Sequence, residues 1–279
     1  MKIPTPFTED LTKLELKSSE FKKIQTLLYD YCGIDMHEGK QALVKARLLK
    51  RIRKLRMQSF QEYFDYIESD EAGAEFLSLV DVLTTNKTSF FRESAHFDFI
   101  RSEVIPGITD RNVTWWSAGC SSGEEPISWA ITYLEEKKAG CRGSARILGT
   151  DISSQVLQKA KQGVYPRELV KGIPEYIRKR YFERDSANPD GYRVSNEIGS
   201  MIRYGRLNLK EQWPMKGPFH IIMCRNVMIY FDKETQRRLV DRFYDMLETD
   251  GFLFLGHSET ISGNHRGLEN VRPAVYRKK

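Results

Sequence analysis

Three groups of residues in this 279-residue chain have the types and spacing to do chemistry. In the first, the apolar run Phe219-His220-Ile221-Ile222-Met223 stops at Cys224-Arg225-Asn226, and an apolar loop carries Tyr230 before Asp232 opens a helix. In a parallel sheet the carboxyl end of such a strand faces the ligand crevice, so Asn226 and Tyr230 are candidate site residues. The second group is the turn Gly119-Cys120-Ser121-Ser122-Gly123 with Glu124-Glu125-Pro126 behind it. Its glycines let the backbone approach a ligand closely. No lysine follows the second glycine, and the pair of acids would repel a pyrophosphate while tolerating ribose hydroxyls or a cationic ligand. The third is Asp151, at the end of the apolar run Ala145-Arg146-Ile147-Leu148-Gly149-Thr150. An acid there is placed to accept hydrogen bonds from a ribose diol.

The elements that must position these groups follow from local pattern. The run Val113-Thr114-Trp115-Trp116 leads into the glycine turn as a first strand, and a helix over about Glu124 to Lys138 follows it. That helix explains why Asp151 lies 32 residues after Gly119 rather than the roughly 20 of a dinucleotide fingerprint. From about residue 110 strands and helices alternate, as in an α/β sheet. The alternation breaks between Gly163 and Asn208. A helix near Pro174 to Phe182 precedes the turn-rich Asp185-Ser186-Ala187-Asn188-Pro189-Asp190-Gly191, and Tyr192–Val194 and Met201–Tyr204 read as short strands. The expectation is a small antiparallel β insertion at about 164–206. Residues 1–78 read as an all-helical domain and 79–279 as the α/β domain. Ser18 to Cys32 forms the first helix, with Ser18 or Ser19 as N-cap, Phe21, Ile24, Leu27, Leu28 and Tyr31 as its apolar stripe and Gly33 as its stop.

The three groups together resemble class I S-adenosylmethionine-dependent methyltransferases. More narrowly, the chain resembles the chemotaxis receptor glutamate methyltransferase (CheR) family. Thr84-Thr85-Asn86-Lys87-Thr88-Ser89-Phe90-Phe91-Arg92-Glu93 follows that family's T-T-N-x-T-x-F-F-R-E segment. Ser121–Pro126 matches S-x-G-E-E-P, Cys224–Phe231 matches C-R-N-V-x-I-Y-F, and Gly256-His257-Ser258-Glu259 matches G-H-S-E. The resemblance covers about residues 15–279. It implies a doubly wound methyltransferase sheet behind a small helical domain. It also implies transfer of a methyl group from S-adenosyl-L-methionine to receptor glutamates, leaving S-adenosyl-L-homocysteine. By resemblance, Asn86, Thr88, Arg92, Glu125, Asp151, Asn208, Leu209, Asn226 and Val227 contact the cofactor, with Asn208-Leu209 near the adenine. Arg92 and Tyr230 are the catalytic candidates. A guanidinium fork suits either the substrate carboxylate or the cofactor's own, and Tyr230 would complete the pocket wall. A glutamate is already ionised at neutral pH, so no strong general base is needed.

Composition limits the alternatives. The net charge of +6 hides segregation: Lys40 to Arg56 holds eight basic residues and no acid, and Met57 to Val80 holds six acids and no base. Lys40 to Met57 makes an amphipathic helix with Val44, Leu48, Ile52 and Leu55 on one face. Arg47, Lys50, Arg51 and Lys54 form a ridge on another, with Arg53 beside it. Without acids of its own to pair with, the ridge is expected to meet an acidic partner; the resemblance names the cytoplasmic helices of chemotaxis receptors. It also suggests that a receptor C-terminal peptide docks on the β insertion by strand addition. Members that bind it tend to carry a glycine-rich turn, where this chain has Asp185–Gly191.

Cys32, Cys120, Cys141 and Cys224 are scattered, which suggests reduced thiols rather than a disulfide framework or zinc site. The five histidines show no ligand spacing, so no metal is expected. No apolar stretch approaches about 18 residues, so no membrane insertion is expected. Met1 to Asp10 lacks the apolar core of a signal peptide; a cytoplasmic location is what the resemblance implies, and a monomer is expected. A nucleic-acid methyltransferase is the first rival, since the basic helix would suit phosphates. Base methylation typically uses an Asn/Asp-Pro-Pro-aromatic loop, however, where this chain reads Asn226-Val227-Met228-Ile229, so no nucleic acid is expected. The second rival is a cofactor-binding regulator without chemistry.

Overall fold

In the computed structural model, residues 14–69, 73–108, 112–137, 143–261, 263, 265 and 267–279 are described. The expectations for Met1 to Asp10, Lys138 and Cys141 fall outside them. The chain divides into two compact units, residues 1–85 and 86–279.

The first unit is helical: α1 (Ser18–Cys32), α2 (Gln41–Leu55), α3 (Phe60–Ser69) and α4 (Ala74–Leu83). The α1 stripe buries Phe21, Ile24 and Leu28. Gly33 ends the helix in the left-handed region, at φ 77°, and donates its N–H to the Tyr29 carbonyl. The N-terminus starts one residue before the expected cap. Lys17 is the cap residue, and its backbone N–H donates to the Glu20 carboxylate at 2.7 Å. The Glu20 carboxylate, reaching back from the first turn to the N-cap N–H, supplies that half of a capping box.

Helix α2 buries Val44, Leu48 and Ile52 as its periodicity requires, but its basic ridge divides. Arg51 makes a two-pronged bond to the buried Glu75 of α4, which Tyr63 of α3 also reaches at 2.9 Å. Arg47 donates to the Leu83 and Thr84 carbonyls and to the Thr85 hydroxyl. The acid missing from the helix itself is thus supplied by a neighbouring helix. Lys50, Arg53 and Lys54 remain exposed.

The second unit opens with α5 (Ser94–Phe99). Its elements then run β1 (Asn112–Ala118), α6 (Glu124–Lys137), β2 (Ser144–Asp151), α7 (Ser154–Gln162), β3 (Val164–Pro166), α8 (Arg167–Val170), α9 (Glu175–Tyr181), β4 (Phe182–Arg184), β5 (Gly191–Val194) and α10 (Asn196–Met201). They close with β6 (Ile202–Arg206), β7 (Phe219–Cys224), α11 (Lys233–Met246), β8 (Leu247–Leu255), β9 (Leu268–Arg272) and β10 (Val275–Lys278). Seven strands form one sheet in the order β6-β2-β1-β7-β8-β10-β9, parallel except where β10 pairs antiparallel with β8 and β9. Both faces are covered, so successive residues of β1 serve different cores. Trp115 packs with Trp129 and Tyr133 of α6, and Trp116 with Phe243 of α11. This is why the strand reads as a continuous apolar run rather than an alternation.

The small sheet is antiparallel, in the order β3-β5-β4, and its turn closes with the Gly191 N–H donating to the Asn188 carbonyl. Met201–Tyr204 does not belong to it. Met201 ends α10, and the strand that follows, β6, pairs in parallel with β2 at the edge of the large sheet. The small sheet therefore ends at Val194. A short strand carries no local mark of which sheet it joins; pairing alone decides that. Among the described residues no helix is long and apolar enough to cross a membrane.

Candidate functional site

From β1 the chain winds outward through β2 to β6 on one side, and from β7 through β8 on the other. The ends of β1 and β7 flank this switch point, where an open α/β sheet leaves a crevice. The turn after β1 is drawn down by the Thr150 carbonyl, which accepts the N–H groups of Gly119 and Cys120, both at 2.8 Å. Gly119 sits at φ 97°, and a β-carbon there would lie 2.4 Å from Cγ2 of Val227 in the loop after β7. The two loops touch, and only glycine permits it.

Asp151 closes the turn from the β2 side. Its Oδ2 accepts the Ser121 N–H and its Oδ1 the Ser153 N–H, both at 2.9 Å. The Ser121 hydroxyl donates to the Asn86 carbonyl at 3.1 Å, so the segment before α5 joins the same turn. The Leu207 N–H donates to the Asp151 carbonyl, which seats Asn208 and Leu209 beside it. Asn208 is buried, and its side chain bonds Glu211 and the Lys210 N–H.

The two acids opening α6 are interior rather than a solvated helix start. Glu124 is buried against the Ser122 hydroxyl, and burial pushes its carboxyl up. Glu125 accepts the Ser117 hydroxyl at 2.7 Å; burial raises it too, only partly offset by Arg225 and Ser117.

Arg225 is the charged centre of the site, and its role was not visible in the sequence beyond its place in a motif. Its side chain is 2% exposed, 3.3 Å from Glu93 and 3.6 Å from Glu125, and it donates to the Arg92 carbonyl. Burial pushes Glu93 up, but Arg225, the His257 N–H and the Asn226 amide outweigh it and hold the carboxyl below its usual range. Asn226 adopts φ 59°. Its amide nitrogen donates to Glu93 at 3.3 Å and its backbone N–H to Glu259 at 2.8 Å. Arg92 spends one donor on the Lys87 carbonyl at 2.8 Å, and its charge reaches Glu125. Tyr230 is half-buried in the short turn Met228–Tyr230, and Thr88 is half-buried before Arg92.

The bonds above thus bring Asn86, Arg92, Glu125, Asp151, Asn226 and Val227 together, with Asn208 and Leu209 adjoining Asp151. The Tyr230 N–H donates to the Val227 carbonyl at 3.1 Å, while among the described residues neither the Tyr230 hydroxyl nor Thr88 bonds that set. Arg47, Lys50, Arg51, Arg53 and Lys54 belong to the other unit.

One histidine grouping does have ligand-like spacing. The donor atoms of Glu93, His96 and His257 lie within 4.8 Å of one another, although the two histidines are 161 residues apart in sequence. The Arg225 guanidinium already faces the same Glu93 oxygen and supplies the positive charge there. Burial first, and then the nearby Arg225, lower His96 to about 4. An unfolded histidine takes up its proton near pH 6.5. Between those values the unfolded chain binds the extra proton, so stability is expected to fall as pH drops from about 6.5 toward 4, by up to about 3 kcal/mol. Urea unfolding at pH 7 and pH 5 checks this: His96→Gln should flatten the dependence, and an unchanged slope would remove His96 as its source.

The sheet order, its one reversed strand and an acid-lined first turn without phosphate-binding groups define a class I methyltransferase. The comparisons name the family. The model "CheR methyltransferase, SAM binding domain" matches residues 86–276, and "CheR methyltransferase, all-alpha domain" matches residues 19–84. A chemotaxis protein methyltransferase of Borreliella burgdorferi is 35% identical, over 95% of this chain and 96% of that protein. Those of Klebsiella aerogenes and Escherichia coli are 39% and 37% identical, each over 95% of this chain and over 91% and 92% of theirs. The chain belongs to the CheR methyltransferase family, and its cofactor is S-adenosylmethionine.

The residues present suit that cofactor: a glycine turn for close approach, acids for hydroxyls or positive charge, and a guanidinium for a carboxylate. Gly119→Ala is expected to weaken S-adenosylmethionine binding by about tenfold or more, because its β-carbon would drive Val227 out and the positive φ disfavours alanine. Calorimetry checks this; wild-type affinity would show that the two loops need not touch.

Proposed function

We propose that this enzyme esterifies side-chain carboxylates of specific glutamates in the cytoplasmic helical domain of chemotaxis receptors. The observation that carries the reading is the match of the helical unit, residues 19–84, alongside the cofactor domain. A class I sheet does not need that unit to transfer a methyl group, so it is assigned to the substrate.

When bound, S-adenosylmethionine supplies an electrophilic methyl on a positively charged sulfur. A glutamate oxygen forms the new C–O bond as the C–S bond breaks and its electron pair stays on sulfur. The ionised acceptor carries no proton to remove. The protein's work is placement, exclusion of water and control of charge. Arg92, with donors to spare, orients a carboxylate: the acceptor's or the cofactor's own. Tyr230, whose hydroxyl makes no bond to the described residues, is assigned the completion of the pocket wall beside the methyl in transit. Asn86, Thr88, Glu125, Asp151, Asn208, Leu209, Asn226 and Val227 hold the cofactor. Lys50, Arg53 and Lys54 contact acidic receptor helices. Arg47 and Arg51 hold α2 in place behind them. Strands β3 and β4 are the edges on which a receptor C-terminal peptide would add.

The test is methyl transfer from radiolabelled S-adenosylmethionine to a purified receptor cytoplasmic fragment, scored as alkali-labile volatile methanol. Volatile counts that saturate with receptor support the reading. Cofactor binding without counts on any receptor fragment would overturn it.

A further inference from the structure

The loop after β7 must place Asn226, Val227 and Tyr230 within six residues of the last strand residue, Cys224. No strand ladder continues there, and Asn226 is held in the left-handed region, which asparagine enters more readily than most side-chain-bearing residues. Its side chain bonds Glu93, and its backbone is held by a carboxylate from the loop after β8. Glu259 Oε2 accepts the Asn226 N–H at 2.8 Å and the Gly256 N–H at 2.6 Å, and Oε1 accepts the Ile229 N–H at 3.1 Å. Glu259 is 5% exposed. No cation lies beside it among the described residues; backbone N–H dipoles alone face its two oxygens. Its own N–H bonds the Gly256 carbonyl at 2.8 Å, which curls the loop beneath it. A β-carbon at Gly256 would lie 2.6 Å from the Asn226 amide nitrogen and 2.7 Å from the Glu259 carboxylate, so glycine is fitted to this contact.

Two of the three amides come from opposite parts of the working segment. Asn226 begins it, and Ile229 lies inside the short turn that ends at Tyr230. We infer that Glu259 is a positioning residue for methyl transfer: its carboxylate, through both oxygens, sets the separation and orientation of Asn226 and Tyr230. The inference rests on the proposed roles of those two residues and extends them to a side chain placed to touch neither substrate nor methyl group. Only a carboxylate offers acceptors at both ends. A glutamine offers one acceptor and turns the other end into a donor facing an N–H. The least disruptive placement keeps the oxygen on Asn226 and Gly256 and sets the amide against Ile229, so Glu259→Gln selectively releases the Tyr230 turn.

The experiment compares wild type, Glu259→Gln and Ile198→Ala, a core truncation in α10 outside the hydrophobic cluster that holds Met228 of the loop. Receptor methylation kinetics, calorimetric affinity for S-adenosylmethionine and amide hydrogen exchange over residues 225–231 are measured well below the melting temperature of each. The expected result is a kcat about 10- to 100-fold lower in Glu259→Gln, with cofactor affinity within about threefold of wild type. Exchange accelerates at Ile229 while Asn226 stays protected, and Ile198→Ala keeps wild-type kcat. If Glu259→Gln matches Ile198→Ala in all three, the carboxylate merely stabilises the fold and the inference fails. It also fails if cofactor affinity falls as far as kcat. Should wild type methylate no receptor fragment, the functional reading fails separately. Exchange at the Ile229 amide then still decides whether Glu259 orders the loop: unchanged protection overturns it and accelerated exchange sustains it.

Discussion

Arg225→Ala is expected to unfold on the order of 10 °C below wild type. The side chain is almost wholly buried, faces Glu93 and Glu125, bonds the Arg92 carbonyl and lies 5.8 Å from the centre of the Phe97 ring. Its removal leaves two buried carboxylates facing a cavity without a counter-charge. Breaking one side of a buried charge cluster typically costs about 3–5 kcal/mol, and each kcal/mol lowers the midpoint of a domain this size by roughly 2–4 °C. The loss should depend on pH with a definite sign. Without Arg225, Glu125, already pushed up by burial, rises further and Glu93 loses the largest influence holding it down, so relative to wild type both carboxyls cost stability as pH rises. The deficit against wild type should therefore be smaller at pH 5 than at pH 8. Scanning calorimetry at both values tests this, and a midpoint within about 2 °C of wild type would mean that the carboxylates are not held by this cation.

Arg92→Ala is expected to do the opposite: nearly unchanged stability, and methyl transfer lowered about 100- to 1,000-fold, the typical cost of removing one oriented donor. Arg92 is only half-buried and makes one bond to a nearby carbonyl, so little of the fold depends on it. Arg92→Lys should recover little, because an ammonium cannot reproduce a two-pronged fork on a carboxylate. Measuring kcat and KM with cofactor affinity also separates the two roles left open for Arg92. A fall confined to cofactor binding assigns it to the cofactor's carboxylate, and a fall in kcat assigns it to the acceptor. Normal turnover in Arg92→Ala would remove the residue from the site. The two arginines lie in motifs of equal prominence, yet one is a structural cation and the other is free to act.

That contrast marks where local reading stops. Helix α1, the ends of β1, β2 and β7, the Asp232 cap and the glycine turn were all legible, because each depends on residues a few positions apart. The basic ridge on α2 was legible as a pattern but not as a surface. The argument that no acid lay at i,i+4 was sound, and the acid came instead from Glu75, 24 residues on, in another helix. The strand at Ile202–Arg206 was legible as a strand and misplaced among sheets, since its five residues look the same wherever they pair.

By itself the sequence determined the order of elements, the covering of both sheet faces and the identity of the loops that meet at the crevice. These follow from hydrophobic period, capping and glycine, which act over one or two turns of chain. Only the tertiary structure decided which charges meet. Arg225 finds Glu93 across 132 residues, and Glu259 finds Asn226 across 33. Burial gives such contacts their strength, because a charge removed from water must find its partner wherever the fold brings one, and no spacing along the chain records that distance.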